Sequence, residues 1–168
     1  MIEIIIFSGF LIVCIYFTIK KSRHKKANKR LASSGLSAID HMTGKEFENY
    51  LKSLFHEMGY RSIVTKSSND FGADLVLKSE KDIIVIQAKR YKGKVGIKAV
   101  QEVYSAKGYY RAEEAFVFTN SYFTSSAKKL AESIGVNLCD RDKLKEIKKT
   151  YKIAMYIYSY FVRLIVLY

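Results

Sequence analysis

The chain has no proline and no tryptophan, and its 168 residues include nine glycines and only two cysteines, Cys14 and Cys139. The absence of proline excludes a proline-rich linker protein, and glycine at this level excludes a collagen-like one. Two cysteines cannot build a disulfide framework or a cysteine-rich zinc site. Hydrophobic residues make up 49% of the chain, which excludes an intrinsically disordered protein and allows one ordinary domain with an appendage.

Acidic residues are also scarce. Asp and Glu number 16 against 29 Lys and Arg, so the formal net charge is +13 and the sequence pI is about 9.6. An excess of this size favours polyanionic partners, which are either nucleic acids or anionic lipid head groups.

Residues 2–19 form an almost continuous apolar run, and about 20 such residues cross a hydrocarbon layer of roughly 30 Å. A buried core helix seldom runs this long without a polar face, and a signal peptide would carry positive charge ahead of the run, where only Glu3 is charged. The sequence therefore predicts an uncleaved, single-pass transmembrane helix. A basic cluster follows it directly: Lys20, Lys21, Arg23, Lys25, Lys26, Lys29 and Arg30.

This basic cluster predicts the orientation, because Lys and Arg beside a span stay on the cytoplasmic side. We therefore expect a protein of the cytoplasmic membrane with the rest of the chain in the cytoplasm, and a flank that contacts anionic lipids. Residues 20–42 are interpreted as this flank and a linker.

Residues 43–149 are predicted to form one domain. Thr43 and Glu46 make a capping box for a helix that Gly59 ends. Strands are predicted at 60–66, 73–78, 83–89, 115–119 and 136–139, and helices at 98–110, 125–134 and 141–149. This order of helix, three strands, helix, strand, helix and strand predicts an α/β sheet whose meander is followed by crossover helices on both faces.

Three polar side chains are predicted to meet at one edge of that sheet. Asp74 opens the second strand, while Gln87 and Lys89 share one face at the end of the third. A hairpin between these strands would bring the three together. A carboxylate and an amide oxygen suit Mg²⁺, and a lysine can orient water or stabilise charge on a phosphate. The alternative is ordinary, since Asp often begins a strand and Lys often ends one in solvent.

A basic loop follows the candidate site. Tyr91 stands among its cations, and Gly93 and Gly96 allow the backbone to approach a phosphate chain. We interpret the loop as a nucleic-acid contact, although a solubilising turn would have a similar composition. Its basic residues are Arg90, Lys92, Lys94 and Lys98.

Four motifs in this order resemble Mrr-type restriction endonuclease domains, which belong to the PD-(D/E)xK nuclease superfamily. They are Gly44-Lys-Glu-Phe47-Glu48, Asp70-Phe-Gly72-Ala73-Asp74, Gln87-Ala88-Lys89-Arg90-Tyr91 and Thr119-Asn120-Ser-Tyr-Phe123-Thr124. The resemblance covers roughly residues 43–144. It implies a three-layer restriction-endonuclease-like fold and hydrolysis of DNA phosphodiesters with Mg²⁺, for which Mn²⁺ is a possible substitute.

The resemblance also implies roles for single residues. Asp74 would bind the metal, Gln87 and Lys89 would form the Gln-x-Lys variant of the commoner Glu-x-Lys, and Glu48 would be an auxiliary metal and active-site residue. Because Gln87 brings no charge, either Glu48 compensates or metal affinity is low without substrate. A catalytically weak, membrane-tethered nucleic-acid-binding module therefore remains the alternative. Cleavage of both strands would ordinarily need two active sites, which favours a homodimer.

Three further regions have simpler interpretations. Tyr122 and Phe123 are interpreted as packing residues rather than base-stacking ones, and Cys139 as a buried residue. Residues 150–168 are apolar and rich in tyrosine, with Arg163 in their midst. A second membrane span would have to bury that arginine. We therefore expect an interfacial or packed helix.

Overall fold

The computed structural model describes residues 35–64, 71–78, 82–151 and 153. The predicted transmembrane helix at 2–19, the whole basic cluster after it and most of the 150–168 tail lie outside the described residues. Within the described ranges, no helix has the length and apolar character needed to cross a membrane.

The described elements follow the predicted order, with one helix added at the beginning. They are α1 (Leu36–Asp40), α2 (Gly44–Glu57), β1 (Arg61–Val64), β2 (Leu75–Lys78), β3 (Ile83–Lys89), α3 (Ile97–Tyr110), β4 (Glu114–Thr119), α4 (Ser125–Ile134) and β5 (Asn137–Cys139). A last helix, α5, begins at Arg141 and continues through Tyr151. The prediction of a mixed α/β domain is confirmed.

The strands form one sheet in the order β1-β2-β3-β4-β5. The first three are antiparallel, with Leu75 opposite Ile86, whereas β3, β4 and β5 are parallel. Parallel neighbours need a crossover, and α3 and α4 supply the two crossovers. The hairpin between β2 and β3 is the one on which the predicted site depends.

Alternating strand residues divide the core between the two faces of the sheet. One face packs small side chains against α3 and α4, as in Val76, Val85 and Val117. The other packs larger ones against α1, α2 and α5, as in Leu77, Ile86 and Phe118. The protein therefore has three layers, and the odd-numbered residues of β3 face α3.

Two local features show how the sequence sets the start of the domain. Thr43 Oγ1 accepts the Glu46 N–H at 3.2 Å while Glu46 Oε2 accepts the Thr43 N–H at 2.7 Å, so the capping box is confirmed. Ahead of it, α1 lies inside the stretch interpreted as linker, and Ile39 is fully buried. The folded unit thus begins before Thr43, because burial of Ile39 stabilises a helix that has no side-chain cap.

Candidate functional site

Asp74 lies immediately before β2, beside the end of β3. Its N–H donates to the Ile86 carbonyl at 2.8 Å, which extends the ladder by one residue. Its Oδ2 accepts a hydrogen bond from Gln87 Nε2 at 2.5 Å and another from the Ala88 N–H at 2.7 Å. The structure therefore brings Asp74 and Gln87 together as expected, with the amide nitrogen of Gln87 facing the carboxylate.

Lys89 lies on the same face of β3 as Gln87, two residues further on. Its Nζ is 2.9 Å from Oε2 of Glu102, which projects from α3. This carboxylate is a site residue that the sequence analysis missed. The available signal was its isolation, since Glu102 is the only acidic residue between Asp82 and Glu113, a stretch that contains the whole basic loop.

A tight turn joins Asp74 to the same part of α3. Gly72 has φ +91°, and a Cβ placed there would lie 2.2 Å from the Glu102 carbonyl oxygen, so only glycine fits. Next to it, the Phe71 ring stacks on Tyr109 of α3 with centroids 3.7 Å apart. The helix position of Glu102 therefore fixes the turn before Asp74 through its backbone and contacts Lys89 through its side chain.

A cleft of about 330 Å³ opens beside Lys89. We call it the lysine cleft, because Lys89, Lys94 and Lys98 line it together with Glu102 and the start of α3. The N-cap of α3, Gly96, provides no side-chain cap, and the first turn of the helix has no acidic residue. The cleft therefore combines lysine charges with a helix N-terminus, both of which favour anions.

A second cleft of about 400 Å³ adjoins the first. We call it the tyrosine cleft, because Tyr91 and Tyr122 line it and both residues are exposed, by 57% and 42%. Arg90 and Tyr91 line both clefts and so separate them. The basic loop is thereby divided, with Lys94 and Lys98 on one side and Lys92 on the other.

Hydrogen bonds fasten the floor of the tyrosine cleft. Arg141 donates from Nη1 and Nη2 to the Asp40 carboxylate, at 2.6 and 2.8 Å. Asn120 Nδ2 donates to the same carboxylate at 3.1 Å. Asn120 Oδ1 in turn accepts the Tyr91 N–H at 2.8 Å, and Arg90 Nη2 donates to the Asp40 carbonyl. The hydrogen bond from Arg141 lowers the pKa of Asp40 to about 2. These contacts tie α1, α5 and the loops after β3 and β4 together.

The remaining predicted residues have mixed outcomes. Glu48 lies on α2 and pairs with Lys45 Nζ at 2.6 Å, so its auxiliary role stays a prediction. Phe123 and Cys139 are buried as expected, and burial raises the pKa of the Cys139 thiol to about 12. Tyr122 differs from the prediction of packing, because its ring is exposed while that of Phe123 turns inward.

The donor set accounts for a metal only in part. Among the described residues, no three His, Cys, Asp or Glu side chains form a group that could hold a metal ion. Asp74 offers one carboxylate, and Gln87 would offer oxygen if its amide turned over. Mg²⁺ commonly binds through one or two carboxylates plus substrate phosphates and keeps several waters. The site thus fits a magnesium ion that is shared with a phosphate.

Comparisons with known proteins agree with this geometry. A model of the Mrr catalytic family, described as a restriction endonuclease, matches residues 39–147. The chain is 28% identical to the type IV methyl-directed restriction enzyme EcoKMrr of Escherichia coli K12, over 71% of this chain and 42% of that relative. It therefore spans less than half of the relative's length.

A solved structure is similar as well. The DNA modification-dependent restriction endonuclease AspBHI superimposes with a TM-score of 0.53 at 16% identity, over 76% of this chain and 35% of the other. At this identity the likeness establishes a shared fold.

Proposed function

The chain belongs to the Mrr-type restriction endonuclease family, and from this premise we propose that it is a metal-dependent DNA endonuclease that hydrolyses phosphodiester bonds. The observation that carries the proposal is the contact of Asp74 with Gln87 at 2.5 Å, with Lys89 on the same strand face beside a cationic cleft. A carboxylate in contact with an amide, and a lysine ammonium on the same face of β3, suit the metal binding and charge stabilisation that phosphodiester hydrolysis uses.

In this proposal, Lys89 stabilises negative charge on the scissile phosphate. Lys89 lines the lysine cleft, and its ammonium is 2.9 Å from the Glu102 carboxylate. A fixed cation aimed at a position where negative charge develops lowers the barrier, and it needs no rearrangement during the reaction. Lys94 and Lys98 would hold the neighbouring phosphates, which makes binding dependent on salt.

In this proposal, Asp74 binds the metal ion, and Gln87 and Glu48 are further ligands. When bound, Mg²⁺ or Mn²⁺ would lower the pKa of a water molecule and stabilise charge on the phosphate. The hydrogen bonds from Gln87 and Ala88 fix the Asp74 carboxylate in place before any ligand arrives.

The biological setting of the proposal comes from the sequence and the relatives. An anchor at residues 2–19 would place the domain on the cytoplasmic side of the cell membrane, with the basic flank on anionic lipids and a homodimer supplying two active sites. The names of EcoKMrr and AspBHI refer to methyl-directed and modification-dependent restriction, which supports a role in restriction of foreign or modified DNA.

One observation favours a second candidate function. Gln87 is buried and donates its amide N–H to Asp74, so the site has one negative charge fewer than an acid at position 87 would provide. A catalytically weak, membrane-tethered nucleic-acid-binding module would keep the same basic clefts and bind DNA without hydrolysing it.

Substitution of the site residues in the full chain tests the proposal. Purified in detergent micelles, the protein is incubated with supercoiled plasmid and Mg²⁺, Mn²⁺ or EDTA. We expect Asp74→Asn to lower the cleavage rate by about a thousandfold, because it weakens metal binding. Lys89→Ala should lower it by about a hundredfold, because it removes a cation that stabilises negative charge in the transition state. Calorimetric titration with Mn²⁺ should show weaker binding to Asp74→Asn.

Lys128→Ala is the matched control, since it removes the same charge from the exposed surface of α4. It should cleave like the wild type. Equal nicking by all variants would assign the cleavage to a contaminating nuclease, and DNA binding without cleavage would favour the binding module.

A further inference from the structure

We propose that the tyrosine cleft is a subsite for an unpaired deoxynucleotide, which stacks its base on Tyr91 and Tyr122 while the adjacent phosphate lies in the lysine cleft. The inference rests on the proposed function for the position of that phosphate. It adds a substrate class, namely DNA that has unpaired nucleotides next to the cleavage point.

The two tyrosines lie on adjacent, mutually bonded segments. Val95 N–H donates to the Tyr122 carbonyl at 2.8 Å, and the Thr124 N–H donates to the Val95 carbonyl at 3.0 Å. The backbones of these segments are thus held beside each other, and Tyr91 and Tyr122 line the same cleft. Exposed aromatic rings on a surface that is otherwise basic are the usual platform for bases of a single strand.

Each ring is also restrained. Asp142 lies close enough to Tyr122 for its negative charge to raise the pKa of the tyrosine hydroxyl. The Tyr91 ring lies over Gly93, where a Cβ would come within 3.3 Å of Cε1. Aromatic side chains that are held in place lose little conformational freedom when a base stacks on them.

The polar floor indicates how the base would be read. The Asp40 carboxylate is occupied by Arg141, and both ends of the Asn120 amide are already hydrogen-bonded. Few side-chain groups of the floor remain to recognise the edge of a particular base. Stacking, which every base provides, would then dominate, and we expect little sequence preference from this cleft.

The wall shared with the lysine cleft indicates the path that the strand would follow. Arg90 and Tyr91 form the wall that both clefts share, so a strand with one phosphate at Lys89 can continue past this wall. A base in an intact duplex is stacked between its neighbours and cannot reach a side-chain ring without leaving the helix. The cleft therefore favours single strands, overhangs and locally opened duplexes.

The test measures coupling between base and tyrosine in the full chain without metal. In EDTA, fluorescence anisotropy gives the Kd for a labelled thymidine strand of about 12 nucleotides, within the usual range of strand-binding sites. A second strand of equal length and charge has abasic sites in its central part. We expect the wild type to bind the strand with bases roughly five- to a hundredfold more tightly.

The measured quantity is the Kd for the abasic strand divided by the Kd for the strand with bases. In Tyr91→Ala and Tyr122→Ala this ratio should fall towards one, while affinity for the abasic strand stays unchanged. Tyr122→Phe keeps the ring and should keep the ratio. Tyr104→Ala removes an equally exposed tyrosine of α3 outside both clefts and should also keep it. If an alanine variant does not fold, the leucine variant at the same position, Tyr91→Leu or Tyr122→Leu, serves in its place. Affinity for a fully paired duplex should change less than twofold.

A ratio that is equal in the wild type and both tyrosine variants would overturn the subsite, even if plasmid cleavage is intact. Loss of the ratio in Tyr104→Ala would overturn it too, because the effect would not be local. Conversely, a preserved coupling in a protein that cleaves nothing would leave the subsite standing while the endonuclease proposal fell.

Discussion

The two clefts share Arg90 and Tyr91 but use their charges in opposite ways. In the lysine cleft, the pair of Lys89 and Glu102 joins β3 to α3 and remains about one-third exposed. In the tyrosine cleft, Asp40 and Arg141 are bonded to each other and to Asn120, and the aromatic rings face solvent. The first cleft thus presents charge to a ligand, whereas the second uses charge to hold a surface in shape. Substitutions should therefore separate catalysis from strand binding.

Gly72→Ala should have the largest structural effect, confined to the lysine cleft. The added Cβ would meet the Glu102 carbonyl at 2.2 Å, at a φ of +91° that alanine rarely adopts. We expect the free energy of unfolding to fall by about 2–4 kcal/mol. Cleavage should drop about a hundredfold, because the turn before Asp74 shifts relative to Lys89. Thermal unfolding and plasmid cleavage measure the two effects.

The matched control is Gly108→Ala. Gly108 lies within α3, and apart from its chain neighbours and the helix's own backbone nothing is within 4 Å of the Cβ position. This variant should gain about 0.5–1 kcal/mol from helix propensity and keep its activity. In both variants the ratio of affinities for strands with and without bases should match the wild type. A loss of that ratio in Gly72→Ala would mean that the clefts are not separable.

Glu102→Gln should divide catalysis from binding within the lysine cleft. Neutralising the carboxylate releases Lys89 from its ion pair, so we expect kcat to fall about tenfold, in line with a charged hydrogen bond of about 1.5 kcal/mol. DNA affinity should rise about two- to fivefold, because a negative charge leaves a site for phosphates. Single-turnover cleavage and anisotropy measure the two quantities.

Glu132→Gln on the exposed side of α4 removes the same charge at a distance. It should leave kcat unchanged and alter DNA affinity by less than twofold. Parallel losses of kcat and affinity in Glu102→Gln would contradict the positioning role, since general damage to the cleft lowers both.

The sequence was sufficient where the determining interactions are local or follow from one hairpin. The capping box of Thr43 and Glu46 lies within one turn of helix and was read directly. The meeting of Asp74 and Gln87 followed from strand alternation and a single antiparallel pairing, in which Leu75 lies opposite Ile86. Periodicity and register contain this information, so most of the fold and the centre of the site could be predicted.

Features that depend on tertiary packing were not accessible in this way. The helix α1 has weak local signals and is stabilised by the burial of Ile39. The partner of Lys89 is 13 positions away on a crossover helix, and only the assembled layers bring Glu102 within 2.9 Å. Tyr122 and Phe123 are adjacent aromatic residues, and which of them faces solvent is decided by the pairing of Val95 with Phe123.

The smallest predicted effect is the acid sensitivity of the tyrosine cleft. The hydrogen bond from Arg141 lowers the pKa of Asp40 from 3.8 to about 2. Because the folded pKa lies below the unfolded one, the stabilisation is present above about pH 4 and is lost as the pH falls towards 2.

Asp40→Asn should therefore be less stable than the wild type at pH 7, and the difference should disappear near pH 2. Because the Asp40 side chain is 35% exposed, solvent screening limits the difference to about 1 kcal/mol. Thermal unfolding from pH 7 to pH 2 measures it, with Glu132→Gln as the charge-matched control. A difference that stayed constant over this range would show that the shape of the Asn120 and Asp40 floor, and not the carboxylate charge, holds the tyrosine cleft together.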